Sequence, residues 1–139
     1  HHPDHLCLIS QSGLVAGDMV AGIGTILIPP GQGDMMTYID QLERLLDLDP
    51  HLIFPSHGPV IPLPSRTLEY YIRHRSIRHD KVLAAVENGN KSLESIARIA
   101  YEDTPDAHPG LSVDQTLSHL LSHEKDGNVI RAGDGWVRA

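Results

Sequence analysis

Three polar residues stand beside short apolar runs of strand-forming type. His1 heads HHPDHLCLI, Asp18 closes LVAGD, and His57 sits in LIFPSHGPVI. Imidazole nitrogens and a carboxylate oxygen are the donor set that suits zinc and similar divalent cations. Each residue alone has a bland reading. Asp18 after Gly17 is an ordinary turn residue, and His57 between Pro55 and Pro59 is an ordinary structural imidazole. Their order along the chain, each at the border of an apolar run, is what makes them candidate ligands. His5 stands four residues after His1 and is either an alternative ligand or a packing residue behind it.

The elements that must position these groups follow from patterning. Leu6–Gln11 and Leu14–Ala16 read as strands joined by a tight turn at Ser12–Gly13. AGIGTILIPPGQG holds too many glycines and prolines for a helix and is expected as a loop over the site rim. Asp34–Leu48 reads as an amphipathic helix, capped by Asp34 and carrying Tyr38, Ile39, Leu42, Leu45 and Leu46 on one stripe. Asp49-Pro50 ends it, and Leu52–Phe54 is a short strand before the Pro55–Pro59 turn. Strand, helix and strand with polar residues at the strand ends is an α/β layered arrangement.

The Pro-rich stretch from Pro59 to Pro64 marks an inter-domain passage, which divides the chain into residues 1–64 and 65–139. A long helix over Arg66–Glu87 is expected next, ended by Asn88-Gly89. A second helix starts at the cap Ser92. DTPDAHPG reads as a loop, and a third helix starts at Ser112 with Val113, Leu117, Leu120 and Leu121 on one face. The glycines and Asp134 of AGDG signal a terminal hairpin between Asn128–Arg131 and Trp136–Arg138. Three helices and a hairpin is the order of a winged helix.

Composition narrows the class. The chain has 139 residues, a net charge of −7 and one cysteine. Residues 1–65 hold one Arg against seven acids, whereas residues 66–139 hold ten basic and eleven acidic residues. Cys7, in the apolar run LCLI, is expected as a buried core thiol. A single cysteine suits a reducing cytoplasm, and no apolar run is of membrane-spanning length. Arg73, Arg75, Arg78 and Lys81, with His74 and His79, form a local basic stretch. It reads either as a solvated helix face or as a contact for an anionic substrate such as RNA. The third helix carries Asp114, Glu124 and Asp126 against Lys125, which argues against reading of duplex DNA.

HHPDHLCLI, AGD and PSHGPVI, in that order, resemble the later metal-ligand motifs of the metallo-β-lactamase-fold hydrolases. AGDMVAGIGTILIPPGQGDMMTYIDQLERLL and the following YYIRHR resemble the β-lactamase-like protein 2 group, whose members add a small winged-helix domain and include an endoribonucleolytic branch. The resemblance implies the C-terminal half of an αββα sandwich followed by a winged-helix (α+β) domain. It also implies a binuclear zinc site, or one for other divalent metals, in a cytoplasmic hydrolase. His1 would ligate the first ion, Asp18 would bridge both and serve catalysis, and His57 would ligate the second. His5 would then be a positioning or packing residue.

The hallmark H-x-H-x-D-H motif is absent from these residues, and Ser56 stands where Gly is commoner. The chain is therefore expected to be an inactive piece whose partner is the N-terminal half of the same protein. The implied substrate is a small molecule (lactam, ester or thioester) or single-stranded RNA, and a homodimer is a further expectation. The rival reading is a noncatalytic winged-helix module for subunit or RNA contact.

Overall fold

A computed structural model describes residues 1–139. The elements are β1 (Leu8–Ser10), β2 (Gly13–Gly17), α1 (Met35–Asp47), β3 (Ile53–Pro55), α2 (Pro64–Glu87), α3 (Leu93–Ala100), α4 (Pro109–Lys125), β4 (Val129–Ala132) and β5 (Gly135–Arg138). They form two compact units, His1–Ile28 with Gln32–Arg75, and Pro29–Gly31 with Ser76–Ala139. The sequence boundary at residue 64 coincides with the start of α2, while the units part within that helix, after Arg75. No helix is long and apolar enough to cross a membrane.

In the first unit, β1 runs antiparallel to β2 and β2 parallel to β3, in the order β1-β2-β3. Parallel neighbours need a crossover, and α1 supplies it. Asp34 lies extended before α1 and its carboxylate accepts the Thr37 N–H at 2.8 Å, as its sequence position predicts. Met35, Tyr38, Ile39, Leu42 and Leu45 are buried along one stripe of the helix. They share a core with Leu14, Ala16 and Ile53 of the strands. The alternation of β2 turns Leu14 and Ala16 inward and leaves Val15 out.

The apolar run at the start of the chain is largely exposed, and its cysteine corrects the sequence reading. Leu6 is 82% exposed, Leu8 66% and Ile9 58%. Leu8 and Val15 stand opposite each other on the sheet face away from the core, whereas Ile9, opposite buried Leu14, is exposed on the core side of the edge strand β1. Cys7 is half-buried rather than deep in the core. Its Sγ donates to the Ala16 carbonyl at 3.7 Å, and burial raises the thiol pKa, which favours the protonated form.

In the second unit, Ser92 caps α3 by accepting the Ser95 N–H at 3.2 Å. Helix α4 begins at Pro109, not at Ser112. A proline in the first turn has a helical φ and a missing N–H that the first turn does not use, so the expected loop is shorter than its Pro-Gly suggests. Ser112 instead donates from Oγ to the Pro109 carbonyl at 2.8 Å. Strands β4 and β5 pair antiparallel, with Ala132 opposite Gly135. Val82, Ala85, Val86, Ile96, Leu120, Val129 and Trp136 form the core of this unit.

The basic stretch of α2 is the second correction. Leu68, Tyr71, Arg75, Arg78, Val82 and Ala85 recur at intervals of three and four residues, and all are buried. Arg75 is hydrogen-bonded to the Ile26 carbonyl. Arg78 lies 4.0 Å above the Tyr101 ring, is hydrogen-bonded to the Ala100 carbonyl, and pairs with Asp103 Oδ1 at 2.9 Å. Asp103 also takes Lys81 at 2.7 Å, which with Arg78 holds its carboxyl well below the usual range. Arg75 and Arg78 are neither a solvated face nor a phosphate contact, because helical period places them on the buried stripe. Arg73, about 160° round the helix from Arg75, is exposed. Replacing Arg78 with Ala is expected to cost about 2–4 kcal/mol by stranding the partners of a buried cation. Arg73→Ala is expected to cost under about 0.5 kcal/mol. Denaturant unfolding of both variants checks the contrast, and equal costs would contradict it.

Helix α4 is buried on more than its leucine face. Gln115, Thr116, Ser118, His119, Ser122 and His123 are buried together with Leu120. His79 of α2 meets two of them. Its Nδ1 lies 3.1 Å from His119 Nδ1, and its ring stacks on His123 at 3.6 Å between centroids. His123 Nε2 lies 3.0 Å from the His79 carbonyl, which fixes it as a donor. Two facing Nδ1 atoms hydrogen-bond only if one carries the proton and the other does not, so at least one of the two rings is neutral. Burial, then the neighbouring His123, pushes the His79 pKa down to about 4, and burial also lowers that of His123.

The folded state therefore refuses protons that the unfolded chain accepts. This contribution is complete above the unfolded pKa of about 6.5 and is lost as pH falls from there to about 4. Unfolding followed by Trp136 fluorescence should show stability declining over that interval. His79→Gln should reduce the slope by about one proton taken up on unfolding. An unchanged slope in the variant would contradict the assignment.

Candidate metal centre

The sheet topology alone brings the three candidate ligands to one edge. Strands β2 and β3 are parallel neighbours, so their carboxyl ends point the same way, with Gly17 opposite Pro55. Asp18 follows the first and His57 the second. Strand β1 runs the other way, so the segment that leads into it returns to the same edge. Carboxyl ends of parallel strands are the usual place for ligands in α/β sheets.

His1 Nε2 lies 3.7 Å from Asp18 Oδ2, and His57 Nε2 lies 3.2 Å from Asp18 Oδ1. One carboxylate thus stands between two imidazoles, with one ring at each oxygen. The His57 side chain is 70% exposed and that of Asp18 36%, so this edge is open. His1 Nδ1 and Asp18 Oδ1 are buried polar atoms without a hydrogen-bond partner, although His57 stands near the latter. Buried oxygen and nitrogen atoms rarely go unmatched.

No three His, Cys, Asp or Glu side chains surround a single point. The arrangement is two pairs that share a carboxylate, which fits a bridging Asp with one imidazole for each of two cations. The donor chemistry fits zinc or a similar ion.

His5 does not join them as a donor. Its Nε2 accepts the Asp18 backbone N–H at 3.1 Å, and its ring meets that of His1 edge-on at 4.9 Å. Burial lowers the His5 pKa, in keeping with a neutral ring that has a lone pair at Nε2. Of its two sequence readings, the positioning residue is the one the geometry matches.

Backbone contacts lock the two turns together. The Ser56 N–H donates to the Gly17 carbonyl at 3.0 Å, and the Gly22 N–H to the His57 carbonyl at 2.8 Å. Gly17 has φ +53°, and a Cβ there would run into His5 Nε2. Gly58, at φ +83°, would place a Cβ 2.8 Å from the Ile23 nitrogen. The loop after Asp18 is held from the helices. Tyr38 Oη donates to the Met19 carbonyl at 2.7 Å, and Tyr71 Oη bonds the Ala21 N–H and the Gly24 carbonyl at 3.0 Å each. Sequence patterning counts Tyr38 as an apolar stripe residue, passes over Tyr71 and takes Arg75 as a surface cation. The available signal was the place of Tyr71 and Arg75, with Leu68, on the three-and-four spacing of α2.

Gly17→Ala combines a strained φ with a collision against His5, and it is expected to cost about 2 kcal/mol. Denaturant unfolding measures it, and a loss below about 0.5 kcal/mol would show that the turn tolerates a side chain.

The chain is similar to known proteins over most of its length. It is 34% identical over 133 residues to the β-lactamase-like protein 2 homolog of Drosophila melanogaster, covering 93% of this chain and 44% of that protein. It is 31% identical over 140 residues to the lactamase-like protein nscB of Neosartorya fischeri, covering 87% and 40%. Among solved structures it superposes on a metallo-β-lactamase family protein of Thermus thermophilus with a TM-score of 0.71 at 19% identity, covering 91% of this chain and 42% of that one. No protein-family model matches. The chain spans less than half the length of the curated relatives it matches.

Proposed function

This chain belongs to the metallo-β-lactamase-fold proteins, in the β-lactamase-like protein 2 group, and from that membership we propose that the whole protein is a metal-dependent hydrolase, with zinc as the metal. The observation that carries the reading is the Asp18 carboxylate lying between the His1 and His57 imidazoles. A pair of bound cations lowers the pKa of a shared water toward neutrality and offsets charge on the substrate oxygens. The residues present have simpler tasks. His1 would offer Nε2 to one ion and His57 would offer Nε2 to the other. Asp18, between the two imidazoles, would serve both and supply negative charge there. His5, hydrogen-bonded to the Asp18 backbone, keeps that carboxylate at the strand end.

The remaining ligands come from the N-terminal half of the same protein. That half also covers the bare sheet face of Leu8 and Val15. Without it the chain is inactive. The substrate is a small molecule with a carbonyl centre, a lactam, ester or thioester. RNA phosphodiester cleavage is second, because Arg75 and Arg78, the cations best placed by type to meet phosphates, are committed to buried carbonyls. Residues 65–139 act as a winged-helix-like domain that frames the substrate or joins a second subunit, in a cytoplasmic enzyme.

In the full-length protein, Asp18→Ala is expected to release one of about two zinc ions and lower hydrolysis about 100-fold or more while the fold is retained. Metal analysis after dialysis, with assays on a chromogenic lactam, an acyl thioester and single-stranded RNA, checks both parts. A variant that keeps both ions and near-normal turnover would rule out the bridging role.

A further inference from the structure

The loop that follows Asp18 has no regular structure, yet Val20, Ala21, Ile26 and Ile28 within it are buried. Buried backbone polar groups need partners, and here side chains from the helices provide several of them. Tyr38 takes the Met19 carbonyl and Arg75 the Ile26 carbonyl. Between these anchors, Tyr71, 3% exposed, accepts the Ala21 N–H and donates to the Gly24 carbonyl. The Ala21 carbonyl, at 3.4 Å, is the longer alternative for its single proton.

What distinguishes Tyr71 from the other two anchors is the segment it holds. Gly22, next to Ala21, donates its N–H to the His57 carbonyl at 2.8 Å. The phenol therefore sets the path of a segment one residue long, and the far end of that segment holds the backbone of His57. The His57 side chain is 70% exposed, so little of it is buried against neighbours that could aim it. Its position against Asp18 depends on that backbone.

We propose that Tyr71 is a positioning residue for His57, acting through the Ala21–Gly22 backbone to hold the imidazole against the Asp18 carboxylate. The proposal rests on reading Asp18 and His57 as metal ligands. Groups that orient ligands without touching the metal typically set about 10- to 100-fold in affinity. The bond to Ala21 and the bond to His57 lie in series, so removing the phenol oxygen frees both amides to open.

The test compares wild type, Tyr71→Phe and, as control, Tyr70→Phe in the full-length protein. Tyr70 is 56% exposed, stacks on His74 and meets the Tyr71 ring edge-on at 6.1 Å, ring contacts that Phe retains. Zinc affinity is read by competition with a chromophoric chelator, and backbone opening by hydrogen exchange of Ala21 and Gly22 in metal-free protein. Tyr71→Phe is expected to bind one of the two ions about 10- to 100-fold more weakly and to exchange both amides about 10-fold faster. Tyr70→Phe is expected to change neither. Unchanged zinc affinity in Tyr71→Phe overturns the proposal, even with faster exchange, since the phenol is then only structural. A wild type that takes up no zinc sinks the ligand reading instead, and an unchanged Gly22 exchange rate in Tyr71→Phe then overturns the positioning role on its own.

Discussion

Two backbone hydrogen bonds tie together the two turns that carry the site. Ser56 N–H to the Gly17 carbonyl and Gly22 N–H to the His57 carbonyl join the turn after β2 to the turn after β3. Each bond contributes only about 1 kcal/mol net, and the two together hold the turns side by side. Asp18 and His57 lie inside the region they enclose. The two residues are far apart in the chain, and the parallel pairing of β2 and β3 brings them to one edge before either bond acts. The glycines of these turns follow from the same closeness, since Gly17 and Gly58 adopt left-handed φ where a side chain would meet His5 or the Ile23 backbone.

Much of this was legible in the sequence because it is local. A carboxylate that caps α1, a Ser that caps α3, and glycines in a terminal hairpin act within three or four residues. The candidate ligands were legible too, because apolar runs locate strand ends and strand ends present polar groups. What composition and period did not give is contact between distant segments. Nothing near Tyr71 in the chain says that its hydroxyl meets Ala21 and Gly24, and no pattern around His79 announces His119 and His123.

The arginines show where residue type misleads and why. Type alone places Arg75 and Arg78 at the surface, since charged residues are seldom buried unless paired. Spacing says otherwise, because Leu68, Tyr71, Arg75, Arg78 and Val82 share one stripe of α2. When type and period disagree, the decision turns on whether buried carbonyls and carboxylates exist to satisfy the guanidinium. Ile26, Ala100 and Asp103 meet that condition, so period prevailed. Arg73, off the stripe, follows its type.

The same reasoning, run in reverse, applies to the sheet. Leu6, Leu8, Ile9 and Val15 are apolar by type and spaced for strands, yet they are exposed. Here no partner surface exists among these residues to satisfy them. Asp18 presents the polar counterpart of that situation, with an imidazole at each oxygen and a buried oxygen left without a hydrogen bond. An unmatched apolar face and an unmatched donor set on one three-stranded sheet have a common physical explanation under the proposed function. Both would be surfaces shaped by groups outside these residues, and a single additional layer of chain that brings ligands to the same sheet edge would satisfy the two together.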